Sequence, residues 1–151
     1  MKAVLQRVSR ARVGVGGEVV SSIKAGFCVF VGIEPSDSST DVTALIDKLA
    51  GLRVFPDAEG KMNLSIGEVN GAVMVVSQFT LLGDMRRGRR PSFSGAAQPE
   101  QAERLIGELV EGLRLAGLQV SSGVFGEQMM VELVNDGPVT LWLSVVGGRV
   151  E

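Results

Sequence analysis

A run of uncharged polar side chains follows one of the most apolar segments of the chain. Residues 72–76 read Ala-Val-Met-Val-Val, and the next four are Ser77, Gln78, Phe79 and Thr80. The apolar segment predicts a buried strand, and where a strand ends, side chains and backbone N–H groups can face a ligand. Two hydroxyls and one amide at that point could position a water molecule or polarise a carbonyl group. The alternative interpretation is a strand end that polar side chains merely cap.

Four arginines lie close together in a polar loop predicted between residues 83 and 95. They are Arg86, Arg87, Arg89 and Arg90, and they belong to the 15 cationic side chains of a chain whose net charge is −2. Arginine binds phosphate oxygens through paired N–H groups. We therefore expect residues 84–91, the arginine loop, to contact an anion. A solvated loop without a ligand is the alternative.

The composition excludes several kinds of chemistry. The 151-residue chain has no histidine and one cysteine, which excludes Ser-His-Asp and Cys-His catalysis and histidine-ligated metal sites. Cys28 lies in the apolar run 27–31 and is interpreted as a core residue. We expect no metal and no cofactor. No apolar run approaches the ~18–20 residues of a membrane span, and the N-terminus has no secretory pattern, so we expect a cytoplasmic protein.

The remaining pattern predicts strands and two helices in mixed order. Alternating residues up to Val15 and the Gly16-Gly17 pair predict a hairpin, and residues 27–31 a buried strand. Helical spacing appears around residues 42–49 and from Pro99 to Leu115. Further strands are expected at residues 52–55, 118–121, 128–135 and 139–145, the last two joined by a turn at 135–138. The prediction is a single α+β domain over residues 1–151, with a mostly antiparallel sheet or open barrel of about seven strands covered by two helices.

Several short blocks together resemble the D-aminoacyl-tRNA deacylase family. They follow the family's order and span nearly the whole chain: residues 1–8 with Ala11, the Ser-Gln-Phe-Thr-Leu block at 77–81, Gly83-Asp84, residues 88–93, Val124-Phe125-Gly126, Met129, and Asn-Asp-Gly-Pro-Val-Thr at 135–140. Each block is short, but their joint occurrence is highly specific.

The resemblance implies a cytosolic homodimer that hydrolyses the ester between a D-amino acid and tRNA, and also glycine mischarged on tRNA. The block at 77–80 would line the pocket. Gly137 and Pro138, joined by a cis bond, would enter from the other subunit and exclude L-amino acids. Arg7 would hold that pair, and Phe125 and Met129 would form part of the pocket wall. For such a substrate, we expect the arginine loop to contact the acceptor end of tRNA and not the amino acid.

Two alternatives remain at this point. One is a non-catalytic RNA-binding or anion-binding module that uses the arginine loop. The other is a hydrolase in which Thr80 forms an acyl intermediate. An aminoacyl ester is already activated, so a placed water and backbone N–H donors to the developing oxyanion could suffice without histidine.

Overall fold

The computed structural model describes residues 1–86 and 88–151. Within these residues the chain forms strands, two α-helices and one short 3-10 turn. In order they are β1 (Lys2–Val15), β2 (Glu18–Ile23), β3 (Gly26–Gly32), α1 (Ser39–Gly51), β4 (Phe55–Pro56), β5 (Met62–Leu64), β6 (Ala72–Ser77), the 3-10 turn (Phe79–Leu82), α2 (Pro99–Leu115), β7 (Gln119–Ser122), β8 (Met130–Val146) and β9 (Arg149–Val150).

Seven of the strands in these residues form one mixed sheet that curls into a half-barrel. Its order is β7-β6-β3-β1-β8-β9, and β2 also pairs with β1. β3, β6 and β7 run parallel to one another, whereas the pairings of β1 with β2, β3 and β8 are antiparallel. The predicted α+β class, with about seven strands and two helices, is confirmed.

Both helices pack on one face of the sheet. The apolar side chains of α2 recur every three or four residues, so Leu105, Leu109 and Leu113 are fully buried in the core cluster that also holds side chains of β1, β3 and β6. Burial of each such leucine stabilises the fold by about 1.5–3 kcal/mol. The start of α1 is fixed by Asp41, whose carboxylate accepts the backbone N–H of Ser38 at 2.9 Å. The helices therefore cover the sheet that carries the 77–80 segment.

A smaller apolar cluster lies on the other face of the same sheet. It includes Val8, Val13, Cys28, Met74 and Val76, each at most 1% exposed. Burial raises the pKa of the Cys28 thiol to about 12, so this cysteine is a protonated core side chain. β3 and β6 are buried on both faces, and this accounts for the continuous apolar runs in their sequences.

Residues 135–138 do not form the predicted turn between two strands. β8 continues through them as one 17-residue strand that pairs with β1 on both sides of the interruption. The prediction was wrong because Asp, Gly and Pro favour turns locally, whereas the long β1 offers a partner to both halves of β8. The strand predicted at residues 52–55 is also displaced. The observed strand is β4 (Phe55–Pro56), which pairs with β5.

None of the helices in the described part of the chain combines the length and apolar character that crossing a bilayer requires. In residues 1–86 and 88–151, no three His, Cys, Asp or Glu side chains are grouped so that they could hold a metal ion.

Candidate active site

The 77–80 segment begins where the parallel ladder of β3 and β6 ends. Ser77 lies opposite Val31, and the N–H of Gln78 donates to the carbonyl of Val31 at 2.7 Å. The chain then leaves the sheet in the 3-10 turn, with the N–H of Leu81 donating to the carbonyl of Gln78 at 3.3 Å. The tight turn carries the side chains after Ser77 away from the sheet and to the surface of the protein.

Gly32 allows this turn to lie directly against the end of β3. A Cβ at Gly32 would stand 2.9 Å from the carbonyl oxygen of Gln78 and 3.4 Å from the Cβ of Leu81. The carbonyl of Gln78 is backbone directly before the 3-10 turn, and Leu81 belongs to the turn. Only glycine therefore fits between β3 and the 77–80 segment without moving the segment.

The side chains of the segment contact each other and one neighbouring ring. The amide of Gln78 donates to the hydroxyl of Thr80. Phe79 is 57% exposed, and its ring meets that of Phe93 edge to face, with the centroids 5.0 Å apart. The segment thus presents one hydrogen-bonded polar pair and one aromatic pair.

A pocket of about 670 Å³ opens beside this segment, within the range typical of small-molecule sites. Ser77, Gln78 and Phe79 line one side, and Phe125 and Met129 line another. The structure thereby brings five of the sequence-predicted pocket residues together. Thr80 is outside the lining and reaches the pocket only through its bond to Gln78.

The first turn of α2 forms a wall of the pocket that the sequence reasoning missed. Gln98, Pro99 and Ala102 line it, together with the preceding Ala96 and Ala97. The signal was present, since two small apolar residues before a helix-starting proline interrupt an otherwise polar loop.

The pocket is poor in groups that could act as a base. Among the described residues that line it, Glu127 is the single titratable side chain, and it was not predicted. The lining otherwise offers hydroxyls, side-chain amides and backbone N–H groups. Such a site suits the placement of water beside an already reactive carbonyl better than the activation of a nucleophilic side chain.

Gly137 and Pro138 lie in a bulge of β8. Thr140 pairs with Gln6 and Asn135 with Val8, so residues 136–139 stand opposite Arg7 alone. We call residues 136–139 the Gly-Pro bulge. The Gly137-Pro138 peptide bond is cis, and Gly137 has a φ of 134°. Gly137 and Pro138 are both exposed.

Arg7 supports the bulge from β1. Its side chain is buried, with only 8% of the residue exposed. Its Nε donates to the carbonyl oxygen of Asp136 at 3.1 Å and lies 3.5 Å from the carboxylate of Asp136. One Nη donates to the carbonyl of Val54. The guanidinium therefore ties the bulge to the segment between α1 and β4.

The Gly-Pro bulge does not form part of the pocket of its own chain. The described residues that line the pocket include Met129 and Val131, near the start of β8, but neither Gly137 nor Pro138.

The arginine loop is closed at its base by Asp84 and Ser92, which exchange two backbone hydrogen bonds at 2.7 and 2.9 Å. The guanidinium of Arg86 donates to both carboxylate oxygens of Asp84, and these bonds hold the pKa of Asp84 below its ordinary value. Arg89 and Arg90 are exposed. Arg87, which was also predicted to contact tRNA, lies outside the described residues.

Comparison with known proteins gives a consistent result. A family model described as D-Tyr-tRNA(Tyr) deacylase matches residues 4–144. A D-aminoacyl-tRNA deacylase from Syntrophobacter fumaroxidans is 56% identical over 144 residues, covering 95% of this chain and 97% of that protein. The D-aminoacyl-tRNA deacylase from Symbiobacterium thermophilum is 60% identical, with 95% of each chain covered.

Solved structures are also similar to this chain. A protein named c-Myc DNA Unwinding Element Binding Protein superposes with a TM-score of 0.90 at 40% identity, over 97% of this chain and all of that one. A probable eukaryotic D-amino acid tRNA deacylase superposes with a TM-score of 0.81 at 17% identity, over 93% of this chain and 97% of that one, which shows the shared fold. With the family model matched over residues 4–144 and relatives above half identity along nearly their whole length, this chain belongs to the D-Tyr-tRNA(Tyr) deacylase family.

Proposed function

We propose that this chain hydrolyses the ester bond of D-aminoacyl-tRNA and releases the free D-amino acid and tRNA. The observation that carries the proposal is the 77–80 segment beside a pocket of about 670 Å³, in a chain whose relatives are D-aminoacyl-tRNA deacylases. The volume fits an aminoacyl group attached to a sugar.

The reaction needs no nucleophilic side chain. A water molecule attacks the ester carbonyl carbon, the carbon–oxygen bond to the ribose breaks, and the ribose oxygen takes a proton as the carboxylic product forms. Thr80 does not act as a nucleophile in this scheme, and its hydroxyl oxygen accepts a hydrogen bond from the amide of Gln78. The chain has no histidine, and the thiol of Cys28 is buried.

The backbone of the 77–80 segment supplies the polar contacts in this scheme. The first N–H groups of a helical turn have no acceptor within the turn, and here they belong to Phe79, which lines the pocket, and to Thr80, which follows it. A fixed N–H donor to a developing oxyanion lowers the barrier by about 3 kcal/mol. Gln78 and Ser77 would orient the ester and the water.

Chiral selection would come from the Gly-Pro bulge of a second subunit in a homodimer. The bulge is exposed and does not line the pocket of its own chain. The face of the sheet beside it also exposes apolar surface, since Val4 and Phe30 are only half-buried and Trp142 in the same row is 61% exposed. A twofold axis would bury this face and bring each bulge to the other pocket in one reciprocal contact.

The bulge would reject L-amino acids by occupying the space that their side chain needs. Gly137 carries no Cβ, so its backbone can approach the substrate Cα closely. A D-amino acid leaves that face of Cα free, and glycine leaves both faces free. We therefore include glycine mischarged on tRNA among the substrates, because exclusion by contact gives the bulge no means to reject it.

The arginine loop would hold the acceptor end of tRNA. Arg86 is already engaged by Asp84, so we assign the phosphate contacts chiefly to Arg89 and Arg90, with Arg87 as the sequence predicts. These contacts add affinity that falls with salt and do not depend on the amino acid. Since charged tRNA is made in the cytoplasm, we place the activity there.

A non-catalytic nucleic-acid-binding module is the alternative, and the relative of known structure at 40% identity is named for binding a DNA unwinding element. Turnover separates the two functions. Purified protein is mixed with D-aminoacyl-tRNA, L-aminoacyl-tRNA and glycyl-tRNA that share one tRNA. We expect rapid release of the D-amino acid and glycine and background release of the L-amino acid. Tight binding of tRNA without release of any of the three would support the binding module and contradict the hydrolase.

A further inference from the structure

We infer that Asn135 is a positioning residue that closes the Gly-Pro bulge and that acts separately from Arg7. The inference rests on the proposed role of the bulge in excluding L-amino acids. Asn135 does not line the pocket of its own chain. It also does not bond the carbonyl of Asp136, which accepts a hydrogen bond from Arg7.

The amide of Asn135 spans the two ends of the bulge. Its Nδ2 donates to the carbonyl of Arg7 on β1 at 2.9 Å and to the carbonyl of Val139 on β8 at 2.9 Å. The first bond replaces a rung of the ladder that the bulge interrupts. The second joins the residue before the bulge to its last residue, so the four residues of the bulge form a closed loop.

The amide is held in this orientation by its other end. The hydroxyl of Thr140 donates to Oδ1 of Asn135 at 3.3 Å, and the amide of Gln6 donates to the hydroxyl of Thr140 at 3.0 Å. Two carbonyl oxygens and one hydroxyl donor therefore surround the side chain. Only a group with two N–H donors and one acceptor satisfies all three neighbours, and among side chains of this length asparagine alone does so.

Asn135 and Arg7 restrain different properties of the bulge. Arg7 holds the carbonyl of Asp136 and anchors the bulge to the rest of the fold through Val54. Asn135 joins the two ends of the bulge to each other. The contacts of Arg7 therefore set the position of the bulge, and those of Asn135 set its shape. The rejection of an L side chain requires that shape.

The test is Asn135→Asp, which keeps the shape of the side chain and replaces both donors by a carboxylate facing two carbonyl oxygens. We expect the ratio of D- to L-aminoacyl-tRNA hydrolysis to fall about tenfold at neutral pH, the value of a little over one lost hydrogen bond. The lower ratio should come from a change in the kcat values, and KM for the tRNA should stay unchanged. Asn70→Asp, in the exposed turn before β6, makes the same charge change and should keep the wild-type ratio.

The pH profile provides a readout that a merely structural role would not give. Facing two carbonyls raises the pKa of the introduced carboxyl, and the protonated acid again has one O–H donor. The D-to-L ratio of Asn135→Asp should therefore recover as the pH falls from about 8 to about 5, whereas Asn135→Ala should not recover. The charged groups beside the position are Arg7 on β1 and Asp136 on β8, and the alanine variant reports any pH dependence that does not come from the introduced carboxyl.

The inference is wrong if Asn135→Asp keeps the wild-type ratio, or if both hydrolysis rates fall in parallel with the melting temperature and without pH recovery. If Asn135→Asp does not fold, Thr140→Val tests the same contact by removing the donor to Oδ1, and we expect a two- to threefold fall in the ratio. Thr43→Val in α1 is its matched control. Absence of D-hydrolysis by the wild-type protein would instead contradict the proposed function.

Discussion

The 77–80 segment and the Gly-Pro bulge are supported by different kinds of interaction. The first continues from β6, in which Val73, Met74, Val75 and Val76 are at most 1% exposed, and it is pressed against Gly32. The second stands on an exposed part of β8 and is held by Arg7 and Asn135 through hydrogen bonds. One half of the proposed site is therefore positioned by packing, and the other by a few directional contacts.

This difference predicts how each half responds to change. Close packing surrounds a residue on all sides, so an added atom must displace a neighbour, and the displacement passes to the reacting groups. A hydrogen-bonded loop tolerates changes in side-chain volume but depends on single donors. The loss of one donor leaves a carbonyl group without its hydrogen bond. Substitutions should thus separate catalysis from chiral selection.

The largest effect is expected for Gly32→Ala. The added Cβ would stand 2.9 Å from the carbonyl oxygen of Gln78, so the 3-10 turn must move. The displaced 77–80 segment should lower kcat/KM for D-aminoacyl-tRNA roughly a hundredfold. The slow hydrolysis of L-aminoacyl-tRNA should stay slow, because the Gly-Pro bulge is untouched. Steady-state hydrolysis of both substrates measures this, and wild-type kcat/KM would contradict a site positioned by packing.

The next effect is expected for Arg7→Lys, which keeps the charge but loses the planar set of donors. The D-to-L ratio should fall about tenfold, and the free energy of unfolding should fall by about 1–3 kcal/mol because a buried carbonyl loses its donor. Hydrolysis assays and urea unfolding measure the two effects. Arg12→Lys is the control, since Arg12 is paired with Glu132 at the surface and should change stability by at most about 0.5 kcal/mol.

A smaller and different effect is expected for the double variant Arg89→Gln/Arg90→Gln. KM for tRNA should rise several-fold at low salt, and the slope of log KM against log salt should fall by about one to two because up to two phosphate contacts are lost. The D-to-L ratio should not change. A changed ratio would show that the arginine loop takes part in chiral selection and would remove the distinction between the two halves.

The smallest effect is expected for Gly107→Ala in the middle of α2. A Cβ there meets nothing within 4 Å, and alanine favours the helix over glycine by about 0.5–1 kcal/mol. Activity should stay at the wild-type level while the free energy of unfolding rises by that amount. A loss of activity would show that α2 tolerates less change beside the pocket than its packing indicates.

The parts of the fold that depend on local pattern could be predicted from the sequence. Pro99 begins α2, and the predicted apolar face with Leu105, Leu109 and Leu113 is buried. The buried strand at residues 72–76 is also confirmed. In each case, the burial is set by residues close together in the chain.

What could not be predicted depends on distant pairing. The bulge at Gly137 exists because β1 pairs with β8 on both sides of it, and no local signal distinguishes that arrangement from a turn. Likewise, the contact of Gly32 with Gln78 needs the parallel register of β3 and β6. The roles of the residues at 77–80, Gly137 and Pro138 came from a family resemblance, because their composition alone is typical of an ordinary strand end and turn.

The central place of β1 has a consequence for the synthesis of the protein. One edge of β1 finds β2 and β3 soon after it is made, but its other partner β8 begins at Met130, roughly 100 residues after β3 ends. At ~5–20 residues per second, the nascent chain keeps that edge open for about 5–20 s. An unpaired apolar strand edge can pair with other chains. We therefore expect the newborn polypeptide to be most prone to aggregation in this interval, before the last long strand leaves the ribosome.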